Sequence, residues 1–326
     1  MERFRLVITV ILLIFLLNGC GQSQATTSLQ DKLKVGMMLA DYGLGDQSFN
    51  DTAFLGLTKA RDELGILFDY RDLVSSKSYY QGLVELIQEE DCDLIIGLGH
   101  NMIVDFTAVA EEYPEQQFLF IDQKIELPNV LSITFKEDEG SYLVGIIAGL
   151  KTKTNSVGFV GGIDIPVINK FKDGFISGVK AVDPEIIIHV DYANDFGSPE
   201  YGKEIARQMI QNENVDIIYP AAGFTGLGVI EEAANHDIFA IGADSDQFYV
   251  AEKTVITSML KNIDVAIYTA IKEFSEEGAF KTNHRELGIL ENGVGIAPVR
   301  ITQLNDQEQQ LFETYTQTYI DSKIQK

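Results

Sequence analysis

A chain of 326 residues, 45% of them hydrophobic, holds enough material for two cores of ordinary domain size. Its 25 basic against 49 acidic residues give a formal charge of -24, which repels nucleic acid polymers and anionic lipid surfaces and disfavours a DNA-binding or phosphate-binding role. Two cysteines, Cys20 and Cys92, are too few for a disulfide framework or a thiolate metal cluster.

The chain opens with Met1-Glu-Arg-Phe-Arg5 and a nearly unbroken apolar run from Leu6 to Leu17, short for a membrane span and right for a signal-peptide core. The run ends at Leu17-Asn-Gly-Cys20, small residues before a Cys as in a lipobox. Residues 1–19 are therefore expected to be a lipoprotein signal peptide and Cys20 the acylated first residue of the mature chain. Buried acyl carbons contribute ~0.8 kcal/mol per CH2, so several chains on Cys20 would hold the protein to a membrane without a spanning helix. Residues 20–33 read as that cysteine and a flexible tether of mostly small, polar side chains.

The stretch from Lys34 to Asn50 is an apolar run that stops at Asp41, bends through Gly43 and Gly45 and restarts as a helix. That order puts its loop at the carboxyl end of a parallel sheet, where open α/β folds place ligands. The loop has neither the spacing of a dinucleotide fold nor that of a P-loop, but offers Asp41, Asp46, Ser48, Phe49 and Asn50. Apolar residues at helical spacing follow from Asp51 to Leu64, then a strand at Leu67–Tyr70, a helix at Tyr79–Glu89 and a strand at Leu94–Gly97. A helix over Ile103–Glu112 precedes strands at Gln117–Ile121 and Val130–Phe135. Cys92, among carboxylates, reads as a semi-buried structural thiol and not as a nucleophile.

The alternation then runs a second time. Helices are expected at Gly140–Leu150, Val167–Val182, Tyr201–Gln211 and Gly228–Asn235, and strands at Ser156–Val160, Ile186–Val190, Val215–Tyr219 and Ile238–Ile241. Two successive sets imply an α/β protein of two doubly wound parallel-sheet lobes, of the type I periplasmic-binding-protein kind, with a ligand cleft between them that closes by hinge motion. With crossings near Thr134, Met259 and Gly293, the lobes are 34–134 with 260–293, and 135–259 with 294–326. The tail from Leu311 reads as a polar helix anchored by Phe312, Tyr315 and Tyr319.

Strand ends supply Asp41, Asp122, Gly161-Gly162, Asp191 and Phe196, Ala222-Gly223 and Asp244. Carboxylates accept paired hydroxyls and aromatic faces stack on planar rings, so Phe49, Phe171 and Phe196 beside these acids suit a ligand with a hydroxyl-rich part and a planar part. Lys261 adds a donor or offsets the acids.

Asp41-Tyr-Gly-Leu-Gly-Asp-Gln-Ser-Phe-Asn50 resembles the signature of the basic membrane protein family, the PnrA-like nucleoside-binding lipoproteins. Phe118-Leu-Phe-Ile-Asp122, Val157-Gly-Phe-Val-Gly-Gly162, Phe171-Lys-Asp-Gly-Phe175, Pro220-Ala-Ala-Gly-Phe-Thr-Gly-Leu-Gly228, Gly242-Ala-Asp-Ser-Asp-Gln247 and Thr257-Ser-Met-Leu-Lys261 follow in the family's order and cover nearly all of the mature chain. The resemblance implies an extracytoplasmic substrate-binding component of an ABC importer, held to the cell membrane by its lipid, with a nucleoside ligand of purine type, an ABC permease as partner and no cofactor. It implies stacking by Phe49, with Phe171 and Phe196 on other faces, polar-edge contacts from Asp41 and Asp122, and ribose contacts from Asp244 and Lys261. Asn50 supports the loop, and Gly223 leaves room for the ligand. Asp41 stands eight residues before Phe49 where the family is expected to have nine. His100 stands where the family often has Phe, and either alters base selectivity or, as the favoured reading, caps the next helix. Phe224 either narrows the pocket or lies outside it.

An enzyme reading lacks its residues. The four histidines show no paired ligand spacing, the glycine turn at Gly223-Phe-Thr-Gly226 has no serine nucleophile, and Asp244 with Asp246 reads as one pocket acid and one loop acid. The expectation is a monomeric binding protein that is not an enzyme. A lipoprotein sensor or regulator, a binder of another ring-containing solute, and a nucleoside hydrolase are the alternatives.

Overall fold

The computed structural model describes residues 32–324. The expected signal peptide, Cys20 and most of the tether lie outside the described residues. Two six-stranded sheets form the frame. The first holds β1 (Lys34–Met38), β2 (Leu67–Arg71), β3 (Leu94–Leu98), β4 (Gln117–Ile121), β5 (Val130–Phe135) and β11 (His284–Leu287) in the order β11-β5-β4-β3-β1-β2, every pair parallel. The second holds β6 (Ser156–Gly161), β7 (Ile187–Tyr192), β8 (Ile217–Ala221), β9 (Phe239–Asp244), β10 (Val255–Lys261) and β12 (Val294–Ile296) in the order β12-β10-β9-β8-β6-β7. Only β12 departs from the parallel pattern among these strands, pairing antiparallel with β10.

Strands covered on both faces need apolar side chains on both, and β3 (Leu-Ile-Ile-Gly-Leu) is buried throughout. The edge strands β2 and β7 carry Asp69, Arg71, His189 and Asp191, charged or polar groups that suit a sheet margin. The chain passes between the sheets after Phe135, after Lys261, and between Leu287 and Val294.

Local chemistry sets the helix limits. The Phe49–Leu64 helix is capped by the buried carboxylate of Asp46, which accepts from the amides of Ser48, Asn50 and Asp51, and it stops at Gly65 in the left-handed region. Pro166 and Pro199 begin the Pro166–Val182 and Pro199–Glu213 helices, where a missing amide hydrogen costs nothing. The Glu137–Lys151 helix lies against Pro166–Val182 through Gly145, Gly174 and Gly178, each close enough to a facing backbone to exclude a Cβ. The Asp306–Ile324 helix is held by Phe312, Tyr315 and Tyr319 against Tyr142, Leu143 and Ile146, with the Tyr142 and Tyr319 rings stacked at 3.9 Å. Cys92 is buried, and burial together with the carboxylates of Asp69 and Glu90 pushes its thiol up to about 12. It is an inert packing group.

Candidate ligand-binding site

The carboxyl ends of the strands from both sheets face one cavity, of ≈ 720 Å³ including open solvent at its mouth. The positions given ligand or loop-supporting roles from the sequence border it: Asp41, Phe49, Asn50, Asp122, Phe171, Phe196, Gly223, Asp244 and Lys261. Three of the acids hold the backbone at positive φ, Asp41 at 28°, Asp122 at 86° and Asp244 at 64°. Side chains other than glycine pay for that conformation, and Asp pays less than most because it bonds locally.

The loop after β1 is a rigid wall. Asp46 caps the helix, Asp51 accepts from the amides of Gly45 and Gln47, and Asn50 accepts from the Ala40 amide at 2.9 Å while donating to Asp46 at 3.0 Å. Asn50 therefore supports the loop from beneath. With the cap supplied by Asp46, the Ser48 hydroxyl is free to donate to Asp244 at 2.6 Å. Asp41 accepts from the Tyr79 hydroxyl at 2.7 Å and from the Asn101 amide at 2.9 Å, which fixes one of its oxygens. Phe49, the first helical residue, packs over Gly99.

The far wall comes from the second sheet. The Phe196 ring lies on Gly162, which has no room for a Cβ, and Gly223 begins its helix at φ 54° beside the Phe196 carbonyl. Phe171 is buried on the Pro166–Val182 helix, with Ile165, Val167 and Ile168 completing an apolar side. Lys261, 1% exposed, closes the floor: its Nζ lies 2.5 Å from Asp122 Oδ1 and 3.1 Å from Glu137 Oε1, and 5.3, 5.1 and 5.7 Å from the ring centres of Phe49, Phe135 and Phe171. Burial would lower the pKa of this ammonium, but Asp122, Glu137 and Asp244 together hold it above the usual lysine value. Burial pushes Asp244 up to about 6, against the pull of Lys261 and the Ser48 hydrogen bond. The lobes also meet through Tyr42, whose hydroxyl donates to Asp195 at 2.6 Å, and through Ser245 and Gln247, which donate to the Gln47 carbonyl at 2.6 and 3.1 Å.

Two expectations are corrected. Asp191 is not at a strand end: β7 pairs with β6 as far as Tyr192, leaving Asp191 exposed on the edge and away from the cavity. His100 caps no helix. It begins a short 3-10 turn after β3, its Nδ1 meets the Gln123 side chain, and its position is on the cavity wall. Phe224 proves to line the cavity, beside Gly45. Asp246 is the loop acid, held by both terminal nitrogens of Arg300 at 3.0 and 2.6 Å. Sequence reasoning missed Tyr42, Asn101 and the Ile165–Ile168 side; Asn101 lies three residues beyond the end of β3, past the reach of the strand-end rule that found Asp122.

Two parallel-dominated α/β lobes whose strand ends enclose a small-molecule cavity define a two-lobe small-molecule-binding fold. The family profile described as ABC transporter substrate-binding protein PnrA-like matches residues 33–325, and the chain belongs to that family. It is 36% identical to the CD4+ T-cell-stimulating antigen of Listeria innocua over 94% of this chain and 93% of the relative, and 31% identical to basic membrane protein B of Borreliella burgdorferi over 81% of each. Among solved structures it is similar to an ABC transporter system solute-binding protein from Aeropyrum pernix K1, with a TM-score of 0.80 and 29% identity over 89% of this chain and 92% of that one. Membership implies a solute ligand and a permease partner, in a family of binding proteins and not of enzymes.

Proposed function

We propose that the protein captures a nucleoside, purine in type, at the outer face of a cell membrane to which Cys20 anchors it, and as a monomer delivers it to an ABC permease. The lobes in this reading are 34–134 with 260–293 and 135–259 with 294–326, except that Phe135 goes with the first sheet and Leu260 and Lys261 with the second, where the strands they end are paired. The observation that carries it is the convergence of Asp41, Asp122 and Asp244 with the rings of Phe49, Phe171 and Phe196 on one cavity. Rings offer faces to a base, and carboxylates accept from ribose hydroxyls and from donor groups on the base edge. Four aspartates against one lysine make the wall unfavourable for a phosphate, which supports a nucleoside over a nucleotide.

Calorimetric titration of the chain from residue 22 onward, refolded to remove carried ligand, is expected to show saturable binding of adenosine, guanosine or inosine and none of ribose. Phe49→Ala is expected to weaken that binding by about tenfold or more, the worth of a stacked ring in a desolvated site. Absence of binding by every nucleoside would sink the ligand assignment and leave the family membership standing.

The closed arrangement implies a kinetic role for Tyr42. Its bond to Asp195 spans the cleft mouth, so Tyr42→Phe is expected to speed ligand release about fivefold, one net hydrogen bond, with little change in the association rate. Stopped-flow fluorescence of ligand release checks this; an unchanged release rate would show that the bond does not hold the lobes together.

A further inference from the structure

One charged group beside the cavity is left unused by the capture reading. Glu137 opens the Glu137–Lys151 helix, is 1% exposed, and places Oε1 3.1 Å from Lys261 Nζ. Its Oε2 makes no hydrogen bond and faces Lys170 Nζ at 3.4 Å. Lys170 in turn donates to the Phe135 carbonyl at 2.8 Å and lies 3.9 Å from Glu286. This chain of charges touches all three passages between the sheets: Phe135 and Glu137 at the first, Lys261 at the second, Glu286 on the strand before the third.

The two anions on Lys261 belong to different lobes. Asp122 follows β4 of the first sheet, whereas the helix that Glu137 begins packs on β10 and β12 of the second, and β10 carries Lys261 itself. Parting of the lobes therefore breaks the Asp122 bond and spares the Glu137 one. Without Glu137, a released ammonium on a four-carbon stem would have Asp244 and water as competing partners. Held by Glu137, it stays where Asp122 and the ligand meet it on closure, and the cost of ordering it is already met.

We propose that Glu137 is a positioning residue, which keeps the Lys261 ammonium fixed against the cavity wall of the second lobe when the lobes are apart. What the ammonium meets on closure rests on the nucleoside-capture reading; where it is held does not.

The test is nitrogen NMR of the lysine ammonium groups in the ligand-free protein, joined to nucleoside titration. Wild type is expected to show a Lys261 ammonium protected from solvent exchange. Glu137→Gln is expected to lose that protection and to bind nucleoside about tenfold more weakly, the worth of one charge-assisted hydrogen bond. Asp122→Asn and Lys170→Gln are expected to keep the protected signal, and Lys170→Gln to bind within about twofold of wild type, a change too small to represent a lost charged hydrogen bond. A merely structural Glu137 would lower stability on substitution without moving the Lys261 signal. The proposal is overturned by an unprotected Lys261 in wild type, by protection that survives Glu137→Gln, or by protection lost in Asp122→Asn. That last variant decides the matter if Glu137→Gln does not fold. Failure of wild type to bind any nucleoside removes the capture reading while the NMR result still decides the role of Glu137.

Discussion

On the nucleoside-capture reading, Asp244→Ala is expected to lower the affinity for a purine nucleoside by at least ~100-fold, because two ribose hydroxyls would lose a charged acceptor and each such bond contributes about 1.5 kcal/mol or more. The same residue gives binding a pH signature. Burial pushes Asp244 up to about 6, so the ionised acceptor is the minor form at about pH 5 and the major form at about pH 7. If the ligand takes the ionised form, affinity rises about tenfold across that interval and levels above it. Asp244→Asn, which does not titrate, is expected to flatten the curve. Stability runs the other way. A carboxyl whose folded pKa lies above its ordinary value contributes stability that is complete below about pH 4 and is lost as pH rises through about 6. Titration calorimetry over that range, beside thermal melts of the unliganded protein, reads both. Affinity within about threefold of wild type for Asp244→Ala, less than one net hydrogen bond, would remove Asp244 from the ligand contacts.

Gly178→Leu is expected to cost at least ~3 kcal/mol of folding stability. A Cβ there would lie 2.1 Å from the Tyr142 carbonyl oxygen, and the reciprocal contacts are as close: 2.4 Å from Gly145 to the Phe175 carbonyl and 2.3 Å from Gly174 to that of Asp138. The obstacles are backbone atoms of a packed helix pair, so no rotamer change relieves them. Gly295, whose Cβ would meet nothing within 4 Å, is the control, and Gly295→Ala is expected to change stability by less than about 0.5 kcal/mol. Urea unfolding of both variants checks the pair. A Gly178→Leu protein of wild-type stability would mean that the two helices part without penalty.

Much of the architecture was legible because its strands are short apolar runs between helices of clear period. The Gln117–Ile121 strand and the start of the Val130–Phe135 strand could be read directly, since continuous burial leaves only one way to use such residues. The helix over Gly223–Asn235 begins five residues before the expected Gly228, because Gly-Phe-Thr-Gly-Leu carries no apolar stripe and the start is set by a positive-φ turn. The helix over Ile263–Glu277 was legible in Ile263, Ala266, Ile267, Ala270, Ile271 and Phe274 and was not assigned. Strands of four and three residues, β11 and β12, are below the length at which periodicity speaks.

The sequence by itself determined the two-fold α/β alternation, the acids and rings at the strand ends, and the family, because burial pattern, turn chemistry and ordered motifs are local properties of the chain. Only the tertiary structure decided which of those groups share a cavity and what each does there. Asp46 caps a helix, Asp191 faces solvent, and His100 meets Gln123. Lys261 is placed by Asp122, 139 positions away, and by Glu137, a residue that looks like any acid at a helix start. A buried ammonium is tolerated only where anions from distant segments converge on it, and that convergence is a consequence of how the two sheets pack, which no local pattern encodes.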